Sequence, residues 1–139
     1  MNLKFTLAYD GSLFQGSQKQ PNGMTVEDKL LKAFKKINIE TNIVLSGRTD
    51  KEVHATGQVF NCVVPDFWQD FFKLKDILNK NLPSSIKILR IQKVKDDFHS
   101  RFHAKKRVYR YLITTKPTTP FNNKFITHIK NVDEELLQK

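Results

Sequence analysis

This sequence predicts an α+β fold, an antiparallel sheet carrying its helices on one face. Apolar residues recur with the two-residue period of strands in several stretches, and with the helical period in two more. The two kinds of stretch alternate along the chain, with turn residues between them. The bulk composition agrees. Of 139 residues, 39% are hydrophobic and 11 are Phe, which suits an independent core rather than a disordered segment.

The elements follow in order. Leu3, Phe5, Leu7 and Tyr9 alternate with Lys4, Thr6 and Ala8, the pattern of a half-buried strand, and Asp10-Gly11-Ser12 ends it. Thr25 precedes Val26, Leu30, Ala33, Phe34 and Ile37, one face of a helix, and Thr25-Val26-Glu27-Asp28 resembles a capping box at its start. Residues 42–46 and 57–64 read as the second and third strands, divided by a polar loop from Gly47 to His54. A second helix is expected over 66–80, with Phe67, Phe71, Leu74 and Leu78 on one face and Asp66 near its start. Asn81-Leu82-Pro83-Ser84 ends it, because proline disfavours helical geometry in the residue before it. Ile86 to Val94 is a fourth strand. Residues 107–114 are expected to form a fifth, with Tyr109, Tyr111 and Ile113 on one face and Val108, Arg110 and Leu112 on the other. The order is βαββαβ plus one strand, a ferredoxin-like plan.

Residues 1–115 are therefore expected to form one domain, and 116–139 a linker followed by the start of a further segment. Lys116-Pro117-Thr118-Thr119-Pro120 reads as the linker, and Asp133-Glu134-Glu135-Leu136-Leu137 as a helix start with an acidic first turn. So short a helix is unstable alone, so the chain is expected to be a truncated piece of a longer protein.

Charge gives the first functional clue. Lys and Arg number 24 against 14 Asp and Glu, a net +10, which favours a polyanionic partner such as nucleic acid. A solvated Lys-rich surface explains the same numbers, and composition does not separate the two. Cys62 is the only cysteine and lies in an apolar run, so it reads as a buried thiol of a reducing compartment. No apolar stretch approaches the roughly 18 residues of a membrane span, and no signal-peptide pattern opens the chain, so the cytoplasm is the expected location. His99 and His103 have a spacing seen in zinc sites but no accompanying Cys pair, so no metal is expected. No phosphate-binding loop of the nucleotide-hydrolase kind occurs.

The segment Phe98 to Tyr111 holds Arg101, Lys105, Lys106, Arg107 and Arg110 with no acidic residue, interleaved with Phe98, Phe102, Tyr109 and Tyr111. Cations meet phosphates and aromatic rings meet unstacked bases, so these five basic residues are candidates for RNA contact. A solvated strand edge is the plain alternative, since lysines also block edge-to-edge aggregation.

The loop around Asp50 is the strongest local signal. Arg48-Thr49-Asp50, held between two apolar strands, sets a carboxylate beside a guanidinium at a strand terminus. Such a carboxylate can act as nucleophile or base, and the arginine can hold it ionised or grip a phosphate. In an anonymous loop a capping Asp beside a surface Arg would be the better reading. Here a longer identity decides. Gly47-Arg48-Thr49-Asp50-Lys51-Glu52-Val53-His54-Ala55 resembles the active-site motif G-R-T-D-x-G-V-H-A of TruA-type pseudouridine synthases. Tyr9-Asp10-Gly11-Ser12 with Gly16-Ser17-Gln18-Lys19-Gln20 is similar to that family's first-strand segment, Y-D-G followed by G-W-Q-x-Q. Phe98-His99-Ser100-Arg101-Phe102, then Arg107-Val108-Tyr109-Arg110-Tyr111, is similar to its F-H-A-R-F and Y-x-Y segments. Two positions depart. Glu52 stands where the motif has Gly, which predicts a negative φ there and adds a charge near Asp50. Ser17 stands where the family usually has Trp, removing a large packing surface.

The resemblance implies one half of a pseudouridine synthase fold. It also implies isomerisation of uridine to pseudouridine in the anticodon stem-loop of tRNA, without metal or other cofactor. Asp50 would begin cleavage of the glycosidic bond, Arg48 would help the target nucleotide leave the stack, and Tyr109 would stack on the uracil and later take its C5 proton. It implies a homodimer whose second half supplies a cation facing Asp50, so this chain alone is expected to be inactive. The rival is a non-catalytic RNA-binding module of the RRM type, which shares the ferredoxin-like plan. Lys106 to Tyr111 lacks the glycine and spacing of that module's RNP1 pattern, and an Arg-Thr-Asp loop has no purpose in it.

Overall fold

A computed structural model describes residues 1–133 and 135. These divide into two compact units, Met1–Lys105 and Lys106–Lys139.

The first unit holds the sheet. Its strands are β1 (Asn2–Tyr9), β2 (Val44–Leu45), β3 (Ala55–Val63) and β4 (Ile86–Lys93), with helices α1 (Val26–Lys36) and α2 (Phe71–Asn81) in the order β1-α1-β2-β3-α2-β4. The sheet order is β2-β3-β1-β4, and every pairing is antiparallel. This is an α+β, ferredoxin-like arrangement.

The alternation in β1 does what it predicts. Leu3, Phe5 and Leu7 are fully buried, and Tyr9 nearly so, in one cluster with Leu30 and Phe34 of α1 and Leu74 and Leu78 of α2. Both helices thus cover one face of the sheet. At the centre Phe5 stacks on Phe60 with centroids 4.6 Å apart, and Phe34 meets each ring edge-on. Such aromatic contacts add about 0.5–1.5 kcal/mol each beyond area burial. Helix α1 starts at the expected capping box: Thr25 Oγ1 accepts from Asp28 N–H, and Asp28 Oδ2 accepts from Thr25 N–H.

Two elements differ from expectation. Helix α2 begins five residues later than the pattern predicts, because Asp70, not Asp66, caps it by accepting from Lys73 N–H. Phe67 lies before the helix and is 76% exposed, while the Asp66 carboxylate takes the Met1 amine at 2.6 Å. The fifth strand over 107–114 does not form as expected. Of the expected fifth strand only Ile113–Thr114 (β5) forms, paired in parallel with β6 (Thr127–His128), and residues 107–112 form no ladder. Alternating side chains equip a segment to pair, but the hydrogen bonds of a strand exist only where another backbone lies alongside. The helix start read at 133–139 lies almost wholly outside the described residues.

The pairing of strand β1 is irregular at its Tyr9 end. Leu7 pairs with Gln58 but Tyr9 with Ala55, and on the other side Thr6 pairs with Arg90 but Leu7 with Ile88, so both neighbours bulge there. Bulges bend and twist a strand and recur beside active sites. The loop between β2 and β3 emerges at this end. At the opposite end, about 23 Å away at a strand rise of 3.3 Å per residue, the buried Asn2 amide donates to Lys95, Asp96 and Phe98 carbonyls. Asn61 Oδ1 takes Ser100 N–H at 2.8 Å. The Phe98–Phe102 motif is thereby fastened to the far end of the sheet.

Candidate active site

The loop from Ser46 to His54 is tied down along its length. At its start the Gln58 side chain accepts from Ser46 Oγ at 2.9 Å and donates to Gly47 O at 2.7 Å. In the middle, Thr49 N–H donates to Ser17 Oγ at 2.8 Å and Ser17 N–H donates to Thr49 O at 3.0 Å. Tyr9 and Thr49 join their hydroxyls at 2.7 Å. At its end, Glu52 N–H donates to Gly11 O, and Gly11 N–H donates to His54 Nδ1 at 3.0 Å. Asp10 Oδ1, which caps a single turn of 3-10 helix by accepting from Ser12, lies 3.1 Å from the same imidazole nitrogen. A ring nitrogen that accepts from Gly11 N–H cannot donate to Asp10 at the same time.

Two glycines make this approach possible. A Cβ on Gly11 would fall 2.0 Å from Val53 O, so only glycine lets the two backbones meet. Gly16 has φ 89°, a left-handed conformation that glycine adopts without strain. Glu52 has φ 70°, against the negative φ expected of a residue with a side chain. The turn Asp50–Val53, closed by Val53 N–H donating to Asp50 O, imposes the left-handed conformation whatever residue stands there.

Thr49 faces the protein, half-buried, while its neighbours Arg48 and Asp50 are both exposed. The two candidates the sequence singled out here thus emerge on either side of one anchored residue. No salt bridge joins them among the described residues. Among the described residues neither the Asp50 carboxylate nor the Arg48 guanidinium has a hydrogen-bond or ion-pair partner.

The remaining candidates divide between the two units. Arg101 and Lys105 are exposed and belong to the first unit; Lys106, Arg107, Tyr109 and Arg110 are exposed and belong to the second. His99 and His103 are occupied by their own turn, where His103 Nδ1 accepts from His99 N–H and His99 Nδ1 from Phe102 N–H. Among the described residues no three His, Cys, Asp or Glu are grouped to hold a metal ion, and no helix is long and apolar enough to cross a membrane. Cys62 is buried, and burial pushes its thiol up to about 12, far from the reactive thiolate range.

Sequence reasoning missed the supports of the loop. In the sequence Ser17 reads only as a departure from tryptophan and His54 only as the end of the polar loop, yet both hold the segment that carries Asp50. Their signal was available only as membership of motifs on either side of α1.

The bulged end of the ferredoxin-like sheet thus presents an anchored Arg-Thr-Asp loop. Residues 6–103 match the family model described as tRNA pseudouridine synthase, and the chain belongs to that family. It is 42% identical over 118 residues to tRNA pseudouridine synthase A of Helicobacter pylori (strain HPAG1), covering 85% of this chain and 48% of that protein. It is 37% identical over 133 residues to the Wolinella succinogenes protein of the same name, covering 96% of this chain and 53% of the other. A Streptococcus pyogenes serotype M49 protein, again tRNA pseudouridine synthase A, is 38% identical over 128 residues, covering 90% and 51%. The chain spans about half the length of the curated relatives it matches.

Proposed function

We propose that the protein carrying this chain isomerises uridine to pseudouridine in the anticodon stem-loop of tRNA, with Asp50 as the catalytic carboxylate and no metal or other cofactor. The observation that carries this reading is the anchored loop. Thr49 is fixed at its amide, carbonyl and hydroxyl, while the adjacent Asp50 carboxylate is exposed and unpaired with Arg48. A rigid mount with a free carboxylate is what bond cleavage at a bound nucleoside requires, since catalysis depends on a group held in place before the substrate arrives.

In this reading Asp50 begins the reaction by promoting cleavage of the C1′–N1 bond. The freed uracil turns within the site, the C1′–C5 bond forms, C5 loses its proton and N1 gains one. The product has the atoms of the substrate, and no oxidant, reductant or metal enters the balance. Arg48 fills the space left by the nucleotide that leaves its stack, an extrusion costing a few kcal/mol. Tyr109 stacks on the uracil and takes the C5 proton. Arg101, Lys105, Lys106, Arg107 and Arg110 hold the phosphates. The working enzyme is a cytoplasmic homodimer, and this chain by itself does not turn over, because a site open to water lacks the opposing cation and the solvent exclusion that the chemistry needs.

Mass spectrometry of unmodified tRNA after incubation with full-length protein tests the reading. Asp50→Asn keeps the side chain's shape and removes its charge, so pseudouridine formation is expected to vanish while tRNA binding survives. Turnover by that variant would remove Asp50 from its role.

A further inference from the structure

Arg48 and Asp50 are both exposed, and Thr49, which joins them, is held to the rest of the protein. Ser17 grips that residue at two atoms. Its N–H donates to Thr49 O at 3.0 Å, and its Oγ accepts from Thr49 N–H at 2.8 Å. This reproduces the two-way exchange of an antiparallel strand pair, with the hydroxyl in place of the serine carbonyl. The carbonyl is engaged elsewhere. Ser17 O accepts from Glu27 N–H at 3.0 Å, and Gly16 O accepts from Val26 N–H, so both satisfy open amides in the first turn of α1. Ser17 is fully buried, and Gly16 beside it packs so that even a Cβ would come 3.0 Å from Thr49 O. Tyr9, from the core face of β1, adds the third hold through its hydroxyl.

We infer that Ser17 is a positioning residue for Asp50: its side-chain oxygen couples the catalytic loop to the start of α1 and sets the carboxylate's direction. The inference rests on the reading of Asp50 as the catalytic group. It assigns a purpose to the position where the chain departs from the family's usual tryptophan, a side chain with no acceptor to offer the Thr49 amide. A buried amide left without an acceptor shifts until it finds one, so loss of the hydroxyl moves the backbone one residue from the carboxylate.

The test uses full-length Ser17→Ala, with Tyr9→Phe as a second release of Thr49 that leaves Ser17 intact. Three quantities are read: kcat and KM for pseudouridine formation, hydrogen exchange at the Thr49 amide against that at Phe5 in β1, and the melting temperature. Ser17→Ala is expected to lower kcat by roughly 10- to 100-fold, since a shift of about 1 Å in a reacting group costs that much, with KM changed less than about twofold. Thr49 exchange should rise at least tenfold while Phe5 exchange stays put. A variant that melts earlier but keeps wild-type kcat and Thr49 protection at 25 °C would overturn the inference. Should Ser17→Ala not fold, Tyr9→Phe decides on the same readouts. Asp50→Asn runs alongside: if it turns over, the reading of Asp50 fails whatever Ser17 does. If it is dead while Ser17→Ala keeps wild-type kcat, only the present inference fails.

Discussion

Glu52→Gly is expected to stabilise the chain, although it removes a whole side chain. Glu52 sits at φ 70°, donates its amide to Gly11 O at 3.2 Å and is exposed. Holding an L-residue with a Cβ in the left-handed region costs about 1–2 kcal/mol. Glycine removes that cost but gives the unfolded chain more freedom, worth about 0.4–1 kcal/mol in the other direction. Taking about 1.5 for the first and about 0.7 for the second leaves a gain of about 0.8 kcal/mol, a rise of about 3–6 °C in Tm. Urea denaturation checks it: the midpoint should move up with an unchanged slope, because surface exposed on unfolding hardly differs. Glu52→Ala is the control, since it keeps the Cβ and the strain, and it should give no gain. If glycine leaves the midpoint level with alanine, or below the parent, then the left-handed turn at Glu52 is not strained and the argument fails.

Gly11→Ala should cost about 2–3 kcal/mol or more, because the new Cβ meets the Val53 carbonyl at 2.0 Å and backbone cannot step aside cheaply; thermal melting measures it. Replacing Lys105 and Lys106 together by Ala should flatten the salt dependence of tRNA binding by about two in logarithmic slope. An unchanged slope would assign both lysines to a solvated edge. Cys62 should resist thiol reagents in the native chain and react only at the rate of unfolding, since burial lifts its thiol to about 12. The Met1 amine, by hydrogen bond and then by charge, holds the Asp66 carboxyl below its ordinary value. A lowered carboxylate stabilises the fold above its unfolded pKa, and the effect fades as pH falls through the lowered one. Acetylating the amine should therefore raise Asp66 titration as followed by NMR.

How far the sequence reaches depends on how local each determinant is. The alternation of Leu3, Phe5, Leu7 and Tyr9 and the capping box at Thr25 act over a few residues, and the structure has them where the pattern puts them. The start of α2 was harder, because Asp66 and Asp70 are both plausible caps and Phe67 extends the apolar spacing by one turn. Only the tertiary pull of the Met1 amine on Asp66 separates them. Residues 107–112 fail as a strand for a related reason, since a ladder is a property of two segments and the pattern describes one.

The site divides along the same line. Arg48-Thr49-Asp50 stands out as a short polar motif between strands, and in the structure Arg48 and Asp50 are exposed with Thr49 half-buried between them. What aims it does not stand out, because Ser17 and Thr49 are 32 residues apart and Gly11 and His54 are 43 apart. No periodicity links such positions. Glu52 shows the limit most clearly. Propensity alone gives a residue with a side chain a negative φ, and that reasoning is sound for an isolated peptide. In the folded chain Gly11 O takes the Glu52 amide and Asp50 O takes the Val53 amide, and the turn these bonds define has room for only one conformation at Glu52. The loop therefore keeps the shape a glycine would give it at the expense of local strain, and the exposed carboxylate keeps its mount. Such a trade is tolerated where surrounding contacts over-determine the backbone, as the holds on Thr49, Gly11 and His54 do here.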